Sequence, residues 1–186
     1  QAGEPGRAAG EDCGARLVAT KTSLRDYQRD LAARRQNADA GRASSKLGLQ
    51  VGGERWLVGL TDAGDVIPVP GITPVPLTRP WFRGVASIRG NLFSVVDIGA
   101  FLGGAAALPG EQARLLLLSE RFRMGSALLV DRSLGLRNPE QLQERAATPQ
   151  RAPWLKAEYD DAQGAHWREL DVAQLVQDPE FLSVST

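Results

Sequence analysis

The groups in this 186-residue chain that could do acid–base or covalent chemistry are few and far apart. It has one histidine, His166, and one cysteine, Cys13. A Ser-His-Asp relay would have to be centred on His166, and no G-x-S-x-G elbow is present to carry a serine. His166 stands beside Trp167 in a strand-patterned segment, so an ordinary strand side chain is expected there; a near-neutral reference pKa alone does not make a base. Asp160 and Asp161 are adjacent but lack the alternating oxygen ligands of a calcium loop, which leaves them as solvated turn residues. Asp97 and Asp131 each close an apolar run. They could act as a carboxylate pair only if two lobes brought them together, and the simpler expectation is that each caps the helix or turn that follows. Gly99 and the "GGAAALPG" stretch follow a strand-like run with no G-x-G-x-x-G and no Walker lysine, so a loop is expected rather than a phosphate cradle. The sequence therefore predicts no catalytic residue, no metal site and no cofactor.

The composition narrows the classes further. Twenty-two basic and 22 acidic residues cancel, which argues against the basic field that general nucleic-acid binding requires. Small basic barrels do stack bases on aromatic side chains, but the aromatics here are sparse and scattered. A nucleic-acid-binding β-barrel and a small hydrolase centred on His166 remain the alternative classes. A single cysteine allows no internal disulfide and no cysteine metal cluster, and it fits a reducing, cytoplasmic setting. No apolar run approaches the roughly 20 residues of a membrane helix. No signal peptide is evident, and a start without Met suggests that something upstream was removed.

The elements that would position these residues are short. Residues 1–15 are small, polar and Gly-rich, too poor in apolar groups to offset ordering entropy. Ser23, with Asp26 as its capping-box partner, opens an amphipathic helix; Leu17, Thr20, Leu24, Tyr27 and Leu31 form a narrow stripe that would dock on the body or on a partner. Residues 37–45 read as a linker. From Lys46 the period changes to two: Leu47, Leu49 and Val51 alternate, Gly52-Gly53 turns the chain, and Trp56, Val58 and Leu60 alternate. Asp65–Val69 is expected as an edge strand, because Pro68 and Pro70 lack backbone donors. Val85–Arg89 and Leu92–Asp97 form a hairpin turned at Gly90-Asn91, followed by one helical turn over Ile98–Leu102. Arg114–Ser119 pairs with Met124–Asp131 through "ERFR". Asn138 caps a short helix starting at Pro139. Leu155–Tyr159 and Ala165–Leu170 form the last hairpin, and Asp171 caps a closing helix. About ten strands in two clusters, 46–97 and 113–170, predict an all-β protein of two small barrels with a few helices.

With so little chemistry, a binding module is the leading class, and the stretch from Pro80 to Gly104, "PWFRGVASIRGNLFSVVDIGAFLGG", supports it. It resembles the signature of the CheW family of chemotaxis coupling proteins, with Pro80, Gly84, Val85, Arg89, Gly90, Val96 and Asp97 in register. "ARLLLLSERFRMGSALLVDRSLGLRNPEQL" is similar to the family's second-barrel pattern, and "HWRELDVAQLV" to its closing strand and helix. There are departures. Ser87 and Ile88 replace the Asn and Leu before Arg-Gly, and Ser94 replaces a strand proline. With the added N-terminal helix, these features look closer to the PilI branch, which serves type IV pili and twitching motility, than to the flagellar adaptor.

The resemblance implies two SH3-like five-stranded β-barrel subdomains within 46–180: a first barrel at 46–104, a second at 111–170 and a closing helix at 171–178, all preceded by the tail, helix and linker of 1–45. It implies a non-catalytic cytoplasmic adaptor. Its partners would be the cytoplasmic tip of a chemoreceptor (a methyl-accepting chemotaxis protein), seated in an apolar groove between the barrels, and the regulatory domain of a CheA-type histidine kinase; nucleic acid and membrane insertion are not expected. The residues expected to contact them are Val66, Gly84, Val85, Ile88, Arg89 and Gly90. The valines and Ile88 would form a desolvated centre, Gly84 and Gly90 would let a partner helix come close, and Arg89 would be a charged anchor or else hold Asp97 within the fold. Trp81 and Phe82 are expected in the core or a lid.

Overall fold

In a computed structural model of the chain, residues 45–107, 110–146 and 152–185 are described. They belong to one compact unit, Asn37–Thr186, distinct from a unit at Gln1–Gln36. The N-terminal tail with Cys13, the helix from Ser23 with its Leu17–Leu31 stripe, and most of the 37–45 linker lie outside the described residues.

Among the described residues, eleven strands make two sheets. The six-stranded sheet contains β1 (Lys46–Val51), β2 (Glu54–Gly59), β8 (Arg132–Arg137), β9 (Leu142–Glu144), β10 (Leu155–Asp161) and β11 (His166–Leu170), in the order β8-β1-β2-β11-β10-β9. The five-stranded sheet contains β3 (Ala63–Pro68), β4 (Phe82–Ile88), β5 (Asn91–Asp97), β6 (Arg114–Leu118) and β7 (Ser126–Val130), in the order β3-β6-β7-β5-β4. Among the described residues, three single-turn α-helices accompany them, α1 (Ile98–Phe101), α2 (Val172–Leu175) and α3 (Pro179–Leu182), with two 3-10 turns at Glu120–Phe122 and Pro139–Gln141. The expected mostly-β, two-lobed class is what the chain forms.

The strands do not divide between the lobes at 104/111 as expected. β2 takes β11 as a parallel neighbour, and β1 pairs with β8, so the N-terminal hairpin is completed by the far end of the chain. The middle of the chain, from β3 to β7, builds the other sheet, where β5 and β7 also run parallel. Alternation marks each strand but carries no information about its non-local neighbour.

Two turns explain the hairpins. Gly52 and Gly53 both have positive φ, 58° and 85°, and connect β1 to β2 with Val51 opposite Glu54. Arg89 and Gly90, with φ of 51° and 83°, connect β4 to β5 with Ile88 opposite Asn91. This second turn sits one residue earlier than the sequence suggested, and it puts Arg89 outside the strand in a left-handed conformation. β8 and β9 were not expected at all. β8 carries Gly135 with φ 80° and few buried side chains, and β9 has three residues, so neither shows a period. The closing helix expected at 171–178 is the single turn α2, and a second turn, α3, follows beyond it; each is capped by an aspartate, Asp171 accepting from Gln174 N at 3.0 Å and Asp178 from Glu180 N at 2.8 Å.

The central strands of the five-stranded sheet are buried on both faces, which accounts for the unbroken "LLLL" of β6. Leu115, Leu117, Val95, Ala127 and Leu129 fill the inside of their own lobe with Ile88. The alternate residues Leu116, Leu118, Val96, Leu128 and Val130 pack on Leu47, Leu49, Trp56, Val58 and Leu170 of the other sheet. Trp81 is in this second cluster, stacked on Phe181 at 6.2 Å and edge-on to Phe101 at 5.2 Å. It is core, as expected.

Candidate protein-docking site

The β4–β5 hairpin ends beside a groove of about 600 Å³ on the five-stranded sheet. Ile88, Arg89, Leu92, Phe93 and Met124 line it, with Asp65 of β3 at the rim. Leu92 is 68% exposed, although it is a large apolar side chain. Arg89 reaches back to Asp65 with a 2.7 Å ion pair. The two side chains are 75% and 51% exposed, so screening leaves the pair worth between nothing and about 1 kcal/mol. Holding a non-glycine residue in the left-handed region costs of order 1 kcal/mol or more. The pair therefore does not by itself explain why arginine occupies a position that asparagine or glycine would fill with less strain.

The six expected contact residues do not form one patch. Ile88, Arg89 and Gly90 meet at the hairpin end, where Ile88 is buried beneath the groove and Gly90 is open, with no atom within 4 Å of where a Cβ would stand. Gly84 and Val85 lie further back on β4, where Val85 exchanges two backbone hydrogen bonds with Thr73 at 2.8 and 2.9 Å. Gly84 is glycine for an internal reason. Its φ is 127°, and a Cβ would come within 2.1 Å of the Thr73 carbonyl oxygen. The close approach is made by the chain's own 73–74 segment, not by a partner helix. Val66 is half-buried and packs with the core cluster between the sheets. None of the six lines the depression of about 410 Å³ where the β1–β2 turn and the loop after α1 meet Trp154, Leu155 and Arg168.

The remaining candidate groups have local roles. Asp97 is fully buried; Oδ1 accepts from Ala100 N at 3.1 Å to cap α1, and Oδ2 accepts from Ala107 N at 2.9 Å. The arginine that faces Asp97 is Arg83, at 3.6 Å, and not Arg89. Asp131 accepts from Gly52 N at 2.8 Å, so it secures the β1–β2 turn across the sheet rather than the turn after itself. The ring nitrogens of His166 lie 3.3 Å from Asp160 and 3.4 Å from Glu158, on the neighbouring strand. Asp161 organises the β10–β11 turn through Gln163 N and Ala165 N, at 2.9 and 2.8 Å. Among the described residues, no three His, Cys, Asp or Glu side chains are placed to hold a metal, and no helix is long and apolar enough to cross a membrane.

One cluster was missed. Glu169 is 3% exposed, bonded to Lys46, accepting from the Tyr159 hydroxyl at 2.8 Å, with Lys156 at 3.2 Å. Burial pulls its carboxyl up, but the bonds from Lys46 and Tyr159 and the charges of Lys46 and Lys156 outweigh that and hold it below the usual range. Burial, and then the bond to Glu169, push the Tyr159 phenol well above its ordinary value. The signal was present in "HWREL": a strand that points Trp167 inward also points Glu169 inward.

A family model described as CheW-like domain matches residues 46–180. The protein PilI of Pseudomonas aeruginosa is 29% identical over 100 residues, 54% of this chain and 56% of its own, so the chain aligns with little more than half of that relative. The crystal structure of the scaffolding protein TtCheW from Thermoanaerobacter tengcongensis superposes with a TM-score of 0.59 at 14% identity, covering 69% of this chain and 88% of that one. That likeness is one of fold.

Proposed function

Because the chain belongs to the CheW-like family, we propose that it is a non-catalytic cytoplasmic adaptor that couples the cytoplasmic tip of a chemoreceptor to a CheA-type histidine kinase, in the pathway that controls type IV pili and twitching. The likeness to a PilI protein supports the choice of branch. The observation that carries the reading is Arg89. It is a strained, three-quarters-exposed cation at a hairpin tip, next to an apolar groove, with an internal ion pair too exposed to account for it. Backbone strain of this kind persists where another contact draws on it, and an arginine beside desolvated apolar side chains is the usual make-up of an interface anchor. Ile88, Leu92 and Phe93 supply the apolar floor. Gly90 completes the turn and leaves its outer side open. Val66, Gly84 and Val85 act from behind, by holding β3 and β4 in place.

The experiment is a reconstitution with purified receptor cytoplasmic fragment and kinase. The adaptor is expected to bring both into one sedimenting complex and to change kinase autophosphorylation. If neither the receptor fragment nor the kinase is retained by the folded chain, the reading is wrong.

A further inference from the structure

Three arginines gather on the six-stranded sheet, which does not carry Arg89. Arg55 on β2 and Arg132 and Arg137 on β8 line one depression of about 290 Å³, together with Trp167 and the β10–β11 turn. The Arg137 guanidinium lies 4.9 Å from the Trp167 ring centre and that of Arg55 lies 5.7 Å away. The indole beneath them is fixed. It is 1% exposed, it donates to Asp161 Oδ2 at 2.9 Å, and Gly48 leaves it space, since a Cβ there would stand 3.1 Å from the ring. Stacking on an indole leaves the in-plane donors of a guanidinium available to an anion.

Asp161 offsets these charges only in part: hydrogen bonds from Trp167 and Ala165, and then the charge of Arg55, help hold its carboxyl below the usual range. Among the described residues none of the three arginines has a carboxylate at ion-pair distance; Arg132 donates to the Gln50 side-chain oxygen at 2.6 Å, and the buried Arg137 Nε has no acceptor. An orphaned buried donor is costly and rare in folded proteins. The one acid in the lining, Asp161, already takes three hydrogen bonds, from Trp167, Ala165 and Gln163. In a chain of zero net charge, this is a local excess of positive charge with a rigid floor.

We propose that this depression is an anion-recognition site that seats a carboxylate of an acidic segment of a partner protein. The guanidinium fork matches a carboxylate bidentately. The cluster does not extend into the basic stripe that would track a nucleic-acid backbone. The site shares no lining residue with the Arg89 groove, so it does not rest on the function read from that groove.

The test uses the full chain labelled with 15N and a peptide of four Glu-Gly repeats, with its Gln-Gly counterpart as control. The Trp167 indole N–H and the Gly164 and Ala165 amides are followed by NMR. The Glu peptide is expected to shift these signals saturably and the Gln peptide to leave them in place. Arg55→Gln/Arg132→Gln alters two exposed positions and leaves Arg137 on Trp167; it should weaken binding at least tenfold with the rest of the spectrum unchanged. Arg121→Gln, in the turn between β6 and β7 of the other sheet, should bind normally. Equal responses to both peptides, or full binding by the double variant, would overturn the site. Tighter binding of inorganic phosphate or of a single-stranded oligonucleotide would overturn the carboxylate assignment.

Discussion

A methyl group added at Gly84 would stand 2.1 Å from the carbonyl oxygen of Thr73, on a backbone whose φ is 127°. Both the contact and the conformation exclude any other residue, and Thr73 cannot retreat because it pairs with Val85 through two backbone bonds. Gly84→Ala is therefore a folding variant and not a docking variant. It should lose about 3 kcal/mol or more in urea unfolding at pH 7, the scale of strain combined with overpacking. A loss below about 1 kcal/mol would show that the 73–74 segment can lift away.

Arg89→Asn separates the turn from the charge. Asparagine tolerates the left-handed conformation better than arginine, so stability should hold or rise by up to about 1 kcal/mol. Binding to the receptor fragment or the kinase, measured by calorimetry, should weaken by about 1–3 kcal/mol, as for an interface anchor. Arg89→Ala should fold and lose the same binding. Unchanged affinity in a folded Arg89→Asn protein removes Arg89 from the interface.

Lys46→Met leaves the Glu169 carboxylate buried with Lys156 as its remaining cation. Breaking one side of a buried pair costs about 3–5 kcal/mol when burial is complete, and the partial exposure of Lys46 places the expected loss near the lower end. The comparison is with wild type by urea unfolding at neutral pH.

The same carboxyl sets part of the acid limb of stability. Its folded pKa is depressed, so the unfolded chain takes up this proton first, near the ordinary glutamate value of about 4.3. The stabilisation is fully present above that pH and is lost as pH falls through the lower folded value. Urea midpoints measured from pH 7 to pH 3 should fall more steeply for wild type than for Glu169→Gln. Parallel curves would mean that the carboxyl is not depressed by folding.

Asp97→Asn keeps the shape but offers one acceptor oxygen where two backbone N–H groups, of Ala100 and Ala107, now point. One buried donor loses its partner, at about 1–3 kcal/mol. Thermal unfolding should report that loss. Amide exchange at Ala107 should quicken, because the loop after α1 is tied down there.

Much of this architecture was legible before any coordinates. Period-two runs located most of the strands, and turn chemistry located the Gly52-Gly53 hairpin. The polar residues before Ile98, Pro139 and Val172 announced their caps, because a cap is a contact within three residues of chain. The Pro80–Gly104 stretch identified the family. Register at the second hairpin was off by one because "RGN" offers two plausible glycine turns, and only the pairing of Ile88 with Asn91 decides between them.

By itself, then, the sequence determined what neighbouring residues decide together: strand positions, caps and turns. The tertiary structure alone decided the rest. It paired β2 with β11 and β1 with β8, gave Gly84 to Thr73, assigned Asp97 to Arg83 and Arg89 to Asp65, sent Asp131 to the Gly52 turn, and brought Arg55 and Arg137 onto one indole. The reason is physical. Alternation and capping arise from forces acting over a few residues, whereas each of these partners is brought close by closing a long loop, and its choice depends on how both sheets pack at once.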